Sequence, residues 1–414
     1  MSGTYTTSRI VRAVLSAADL SKAVAAKAGN LGEVRAVAVG KGALSMLKGL
    51  EAVADIIDGV AVAPQAGPVP RSVKLYVADH PIPTERSFEA GRAVLDYVES
   101  LGRGDTLVLL VSGGASSLME APLVSEEDFL KAWEILLKSG MTIHEMNAVR
   151  KRLSAIKGGR LGHIAAARGA EVVNLIASDV PCDNPSDVGS GPGVPDDTTP
   201  DEAYLYLKVR GLWGRLPESV RRLIESRRGS RDTPSSFPHR AVVVARNLDV
   251  LEALRNAVGG RVVTSCLVGE ARDVGRLVAY MAKELGTPLI LGGEPSVTVR
   301  GRGRGGRTSE FALSFALSST GELAVLALAT DGLDGNTGAA GVWADPELLR
   351  DIAEAGMDVG RLFEENDTFR PFEATGRAIY TGSTGSNLNL VFYVDRWSHL
   401  KDLLAGGQIQ EGQI

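Results

Sequence analysis

The sequence predicts an α/β fold in two domains, and three observations carry that expectation. One local pattern recurs: a short apolar run, a glycine-bearing turn, then an amphipathic helix. It is visible in "VRAVAVGKGALSMLKGLEAVA", "DTLVLLVSGGASSLM", "EVVNLIASDVP", "RAVVVARNLDVLEALRNAV", "TPLILGGE" and "LAVLALATDGLDG". Runs such as "VLLV" at 108–111 are apolar at every position rather than at alternate ones, as in strands covered on both faces of a parallel sheet. Finally, "ESRRGSRDTPSSFPHR" at 225–240 is polar, contains Ser and Pro and has no apolar period, which places a boundary there. The expected organisation is two Rossmann-like α/β domains with largely parallel sheets, at 1–235 and 236–414. The tail "AGGQIQEGQI" reads as a frayed end.

Composition narrows the function classes. The chain has 414 residues, 44% hydrophobic and 23% charged, with a net charge of −5. That balance argues against a general nucleic-acid binder, whose footprint is a basic domain. No apolar run is long enough to span a bilayer, and the opening residues lack a charged segment followed by an apolar one. The expectation is a cytoplasmic protein with small-molecule partners, no nucleic acid and no membrane; homo-oligomerisation stays open. Cys182 and Cys266 stand far apart in no metal-ligand spacing, so they read as reduced thiols.

Ligands of parallel sheets sit beyond the carboxyl ends of the strands, so the turns there hold the candidates. "VTVRGRGRGGRTSEFALSFAL" at 297–317 alternates arginine and glycine before a helical run. Its glycines can turn N–H groups into an anion nest, the next helix adds its positive end, and Arg304 and Arg307 offer forked donors. A solvated loop or an RNA-binding tract are the other readings. "VSGGASSLMEAP" has the same geometry, with Ser112, Gly113, Gly114, Ser116 and Ser117 as phosphate donors or as a tight turn of small residues. "AVGKGALSML" is not a P-loop, because Arg35 stands where a glycine is required and Gly42 follows the lysine. It leaves Lys41 at a strand-to-helix turn, free to reach a migrating phosphoryl group or simply solvated.

Two acidic turns complete the set. Asp179 and Asp183 follow one strand, and Asp331 and Asp334 follow another. Such carboxylates suit Mg2+ beside substrate phosphates, or they cap helices. His80, in "DHPIP", sits in a proline-constrained loop within reach of a substrate. "HEMNA" begins like a zinc-protease helix but has Ala148 where the second histidine belongs.

Several of these stretches, in order, resemble the MOFRL-type glycerate 2-kinase family: "VAVGKGA", "HPIP", "SGGASSL", "LLKSGMTIHEMNAVRKRLSAIKGGRL", "GGEPSVTVRGRGRGGR", "TDGLDG" and "TGSTGSNLN". The resemblance runs from about residue 10 to 395. It implies ATP-dependent phosphorylation of D-glycerate at the 2-hydroxyl with Mg2+ or another divalent cation, and an active site in a cleft between the domains. It implies catalytic roles for Lys41, Arg307 and Asp179. It further implies ligand contacts from Asn147, Arg150 and Lys157, with His80, Arg150 and Arg304 toward substrate. Asp179, Asp183, Asp331 and Asp334 are the implied metal carboxylates. The chain departs from the family pattern at Ala115 and Cys182, each in place of glycine, and at Thr308 and Ser309, in place of Asn-Gln. The rival expectation is an NAD(P)H-dependent hydroxypyruvate reductase. Against it, the best dinucleotide fingerprint, Gly40-x-Gly42-x-x-Ser45, lacks its third glycine.

Overall fold

The structure, a computed structural model, describes residues 8–319 and 321–405. The frayed end expected at 405–414 lies, apart from Ala405, outside the described residues. The chain divides into two compact units, 20–245 and a second made of 246 onward joined by the N-terminal segment through Asp19.

The 20–245 unit is built on six strands: β1 (Gly32–Val39), β2 (Ala54–Ala63), β3 (Val73–Val77), β4 (Thr106–Val111), β5 (Glu171–Ala177) and β6 (Arg240–Ala245). Their order is β3-β2-β1-β4-β5-β6, and every pairing is parallel. This is the doubly wound order. The chain winds outward from β1 in one direction and from β4 in the other, so the turns after β1 and β4 leave the sheet side by side. Both faces are buried, which explains the unbroken apolar runs. Val37, Val39, Leu107 and Leu109 share one cluster with Val94 and Val98 of the helix Glu85–Ser100.

The polar stretch at 225–240 is not the division between the units. β6 follows it and pairs with β5, so the division falls at Ala245/Arg246 rather than at 235/236. The stretch is polar because it serves a buried charge cluster. Arg152 is fully buried; it donates to Thr198 O at 3.0 Å and Thr233 Oγ1 at 3.1 Å, and pairs with Asp196 at 2.5 Å and Asp232 at 2.8 Å. Lys151 meets the other Asp196 oxygen at 2.8 Å. Burial alone would raise the Asp196 pKa, but Lys151 and Arg152 overcome it and hold it at about 2.

The second unit carries β7 (Arg261–Leu267), β8 (Leu289–Gly293), β9 (Leu323–Ala329), β10 (Gly341–Ala344), β11 (Ala378–Ile379) and β12 (Leu390–Arg396), in the order β11-β10-β9-β12-β8-β7. Only β7 and β8 pair in parallel; β12 runs antiparallel between β8 and β9, and β10 is antiparallel to β9 and β11. The expectation of largely parallel sheets therefore describes the first sheet fully, while the second is mixed. β12 is buried on both faces, with Phe392 stacked on Phe311 at 4.0 Å between ring centres. Its composition is that of a parallel strand, and hydropathy carries no record of direction. The helix Arg9–Ala17 packs on the helix Asn247–Val258, which is why the N-terminal segment belongs here.

Asp196→Ala would leave buried Lys151 without a carboxylate and Arg152 with Asp232 alone, a loss of about 3–5 kcal/mol by the usual cost of breaking a buried pair. Urea denaturation is expected to show it at pH 7. Because the folded pKa is depressed, the Asp196 contribution is present above the unfolded pKa of about 3.9 and disappears as the pH falls through about 2. The gap between variant and parent should therefore narrow only in strong acid.

Candidate active site

The turns after β1 and β4 are locked together. Gly42 N donates to Ser112 Oγ at 3.0 Å, Ser112 Oγ reaches Val39 O at 3.3 Å, and Lys41 N donates to Gly113 O at 2.8 Å. Gly40 is required here: its φ is +124°, and a Cβ would run into Ser112. Ser112 and Ser117 are buried, Ser117 Oγ bonding Gly114 O at 3.2 Å, so both brace the turn. Ser116 bonds Ser190 at 2.8 Å. Among the described residues, the N–H groups of Gly113 and Gly114 have no protein acceptor. The helix behind them, Ala115–Leu118, is one turn long, so these amides, rather than a helix dipole, are what the turn offers an anion.

His80 lies over this turn, its Cδ2 3.1 Å from where a Gly114 Cβ would be, with Lys41 Cγ 3.4 Å from the same point. Its loop is pinned on two sides. Asp79 accepts from Thr84 Oγ1 at 2.6 Å and from Arg86, and Pro81 O accepts from Trp133 Nε1 at 3.2 Å. Packing around the ring, then Lys41 and Arg150, lower the His80 pKa to about 4. The residue also reaches solvent, which screens part of that effect. The direction remains: a neutral imidazole at neutral pH.

The helix Ile143–Arg150 divides the expected ligand contacts. Asn147 is fully buried, accepting from Ser190 Oγ at 2.9 Å and donating to Asp187 O at 3.0 Å and Oδ1 at 3.2 Å. Lys157 is buried against Glu120, and burial pushes its pKa well below the ordinary lysine value. In this structure Asn147 has both amide donors taken by Asp187, and Lys157 is buried and paired with Glu120. Arg150 differs: its guanidinium stacks on Trp133 at 3.9 Å from the ring centre. Asp179 follows β5 and is half-buried, as is Asp183. Cys182 takes a left-handed backbone, φ 64°, at the place where the resemblance has glycine.

In the second unit, Arg307 opens the helix Arg307–Ser318 and pairs with Glu294, beyond β8, at 2.9 Å. Glu294 had no signal of its own in the sequence. The arginine–glycine loop before it is tied down by its own unit. Asn366 Oδ1 accepts from Arg300 N at 2.7 Å and Gly301 N at 2.9 Å, Asp367 from Arg304 N at 3.0 Å, and Asn336 from Gly305 N at 2.9 Å. The Arg304 side chain pairs with Glu373 at 2.8 Å and donates to Thr337 O at 3.0 Å. Asp334, 1% exposed, accepts from Thr308 N at 3.1 Å, Thr308 Oγ1 at 2.6 Å and Ser309 N at 3.3 Å. It caps the helix, and burial raises its pKa. Most of the N–H groups expected to form an anion nest in this loop are thus taken by the protein itself.

The donor set bears on the implied cation. Among the described residues no three His, Cys, Asp or Glu side chains form a metal-holding group. Mg2+ asks for less, one or two carboxylates with waters and substrate phosphates completing the shell. Half-buried Asp179, Asp183 and Asp331 fit that demand; Asp334, consumed by its cap, does not.

The two aspartates of "TDGLDG" should separate by experiment. Asp334→Ala is expected to lower stability by about 0.5–2 kcal/mol, the usual cost of a lost cap, measured by thermal melting. Asp331→Ala should leave the melt nearly unchanged. For His80, NMR titration should show a neutral ring down to about pH 5, and Lys41→Met should raise its pKa by removing a neighbouring positive charge.

Comparison with known proteins places this arrangement. Residues 4–225 match the family described as a domain of unknown function, DUF4147, and residues 287–390 match the MOFRL family. The chain is 35% identical over 387 residues to the glycerate 2-kinase of Pyrococcus horikoshii, covering 87% of this chain and 86% of that protein. A protein of Agrobacterium vitis with the provisional name hydroxypyruvate reductase is 35% identical over 408 residues, 92% of each chain. The crystal structure of the glycerate kinase of Thermotoga maritima superposes with a TM-score of 0.81 at 34% identity, over 94% of this chain and 97% of that one. With its doubly wound sheet and its glycine turns at the switch point, the chain belongs to the MOFRL-type glycerate 2-kinase family.

Proposed function

We propose that this protein, a phosphotransferase acting on an alcohol group, transfers the γ-phosphoryl of ATP to the 2-hydroxyl of D-glycerate, giving 2-phosphoglycerate and ADP. The observation that carries the reading is the switch point. Two unpartnered amides, Lys41 and the Arg150 guanidinium gather around a neutral imidazole, a setting built for anions. Family membership supplies the substrate class.

Phosphoryl transfer asks the protein mainly for positioning and charge compensation. In this reading the Gly113 and Gly114 amides hold nucleotide phosphate oxygens, and Ser116, its hydroxyl bonded to Ser190, braces the turn beside them. Lys41 offsets charge on the migrating group. Arg307, released from Glu294 or sharing it, forks onto phosphoryl or carboxylate oxygens. Asp179 accepts the 2-hydroxyl proton as the new O–P bond forms and the bond to ADP breaks. Mg2+ or another divalent cation would supply charge neutralisation on the phosphates, with Asp179 and Asp183 in the first unit and Asp331 in the second as its candidate carboxylates. Arg304, engaged with Glu373, keeps only a secondary part toward substrate. The setting proposed is cytoplasmic, with small molecules as partners.

The hydroxypyruvate reductase reading rests on a relative's name. It predicts NADH oxidation on adding hydroxypyruvate, where phosphorylation predicts none. NMR assignment of the product formed from ATP and D-glycerate is the direct test, because a phosphate on O3, or no phosphoglycerate, ends the proposal. Lys41→Ala and Arg307→Ala are each expected to lose on the order of 10²–10³ in turnover with unchanged thermal melting.

A further inference from the structure

Of the three serines in the turn after β4, Ser112 and Ser117 are buried, while Ser116 is half-buried and keeps surface open to solvent. Its hydroxyl lies 2.8 Å from Ser190 Oγ, a contact in which either oxygen is able to donate. The residues behind decide which one does. Asp187 O is a backbone carbonyl and only accepts, so the Asn147 atom 3.0 Å from it is the amide Nδ2, which also meets Asp187 Oδ1 at 3.2 Å. Asn147 Oδ1 therefore faces Ser190 at 2.9 Å, and Ser190 donates to it. A serine hydroxyl has one proton. With that proton on Asn147, Ser190 meets Ser116 through a lone pair, and Ser116 is the donor. Asn147 and Ser190 are fully buried, so solvent offers neither of them another partner. Every hydrogen bond in the run points toward Asp187, and Ser116 has only lone pairs for whatever lies beside it.

A hydroxyl fixed as an acceptor disfavours phosphate and carboxylate oxygens and suits a ligand that brings its own proton. It is not a base, because the path from Ser116 to Asp187 crosses the Asn147 amide, which relays no proton. An alcohol held there stays protonated. We infer that Ser116 receives the 3-hydroxyl of D-glycerate and so determines which alcohol of the substrate is left unreacted. The identity of the ligand rests on the kinase reading; the one-way polarity of Ser116 rests on its hydrogen bonds alone. D-Glycerate carries two alcohols, and only one is phosphorylated. The reacting one needs a carboxylate to take its proton, whereas the other needs a partner that accepts a hydrogen bond and cannot deprotonate it. Ser116 has that character, and a serine with its proton free would take up anionic oxygens as readily.

The test is calorimetric titration of three ligands into the intact protein and its variants: D-glycerate, D-lactate, which lacks the 3-hydroxyl, and tartronate, which has a carboxylate in place of the hydroxymethyl group. The parent should bind D-glycerate about two- to tenfold more tightly than D-lactate, the net range for one hydrogen bond between neutral groups. Ser116→Ala should bring D-glycerate to the level of D-lactate while D-lactate binds as before. Ser190→Gly, which suits the left-handed φ of 61° at that position, returns the Ser116 proton and should strengthen tartronate by a similar factor. The inference is overturned if Ser116→Ala discriminates as the parent does, or if it weakens both ligands alike, as a mere support of the turn would. It is equally overturned if tartronate is indifferent to Ser190→Gly. A loss in Ser116→Ala confined to ADP with Mg2+ also overturns it, by assigning the proton to metal-bound water. If discrimination follows Ser116 but NMR finds no phosphoglycerate, the subsite stands and the kinase reading fails. If 2-phosphoglycerate forms without such discrimination, the kinase reading stands and the subsite fails.

Discussion

The hydrogen bond from Gly42 N to Ser112 Oγ is the constraint on which the site of the first unit depends. β1 and β4 pair up to Val39 and Val111, and Lys41 N donates to Gly113 O just beyond, but the chain then leaves the two strands in opposite winding directions. Ser112, in the turn after β4, fixes that pairing by accepting from Gly42 N of the turn after β1 and bonding the carbonyl of Val39 at the end of β1. Gly40 permits the approach, since any side chain there would strike Ser112. With the turns held, Lys41 and His80 both crowd the space that a side chain at Gly114 would need. The doubly wound order creates a crevice, and this bond gives it fixed chemistry.

Behind the crevice lies a polar scaffold whose members spend their hydrogen bonds on one another. Ser116 bonds Ser190, Ser190 bonds Asn147, and Asn147 bonds Asp187. Ser190 adopts φ 61°, and its neighbour Gly189 has no room for a side chain against Ala115. A left-handed serine is an uncommon backbone state, kept here because the Ser116 and Asn147 side chains both bond it. Saturation of this network makes the turn rigid, and rigidity is what an anion-binding amide pair requires.

Much of this was legible in the sequence. β1, β4, β5, β6, β8 and β9 announce themselves as apolar runs ending in glycine or polar turns; Lys41 and the Gly113–Gly114 pair fall in the turns after β1 and β4, and His80 in the loop after β3. β2 and β7 carry charged or polar residues within them, and β12 hides its antiparallel direction, because burial on both faces erases the alternation that would reveal it. The boundary was misplaced for a related reason. Asp232 and Thr233 look like linker residues in sequence, and only the fold shows that they satisfy a buried arginine. Among site residues, Asn147, Lys157 and Asp334 carry the right chemistry in the right motifs, but their donors or acceptors are consumed internally. Residue type and spacing do not record which polar groups find partners within the chain. Trp133 gave no signal, since a tryptophan in an amphipathic helix reads as core.

The arginine–glycine loop shows the same distinction from the other side. A Cβ on Gly303 would strike Asp367, one on Gly305 would strike the Asn366 backbone, and one on Gly306 would strike Asp334. The glycines are there so that the loop can lie close against acidic and amide side chains that take its N–H groups. In the first unit glycines leave amides open; in the second they allow amides to be filled. Most of the backbone donors of the second unit's loop are thus spent, and Arg307 is the arginine that starts a helix at the sheet's carboxyl end. A long forked side chain differs from a fixed amide in being able to follow its ligand. Fixed amides suit phosphates that keep their place through the reaction, while an arginine balanced against Glu294 suits a group that moves. The division between rigid and mobile donors is thus written into where each unit spends its backbone hydrogen bonds.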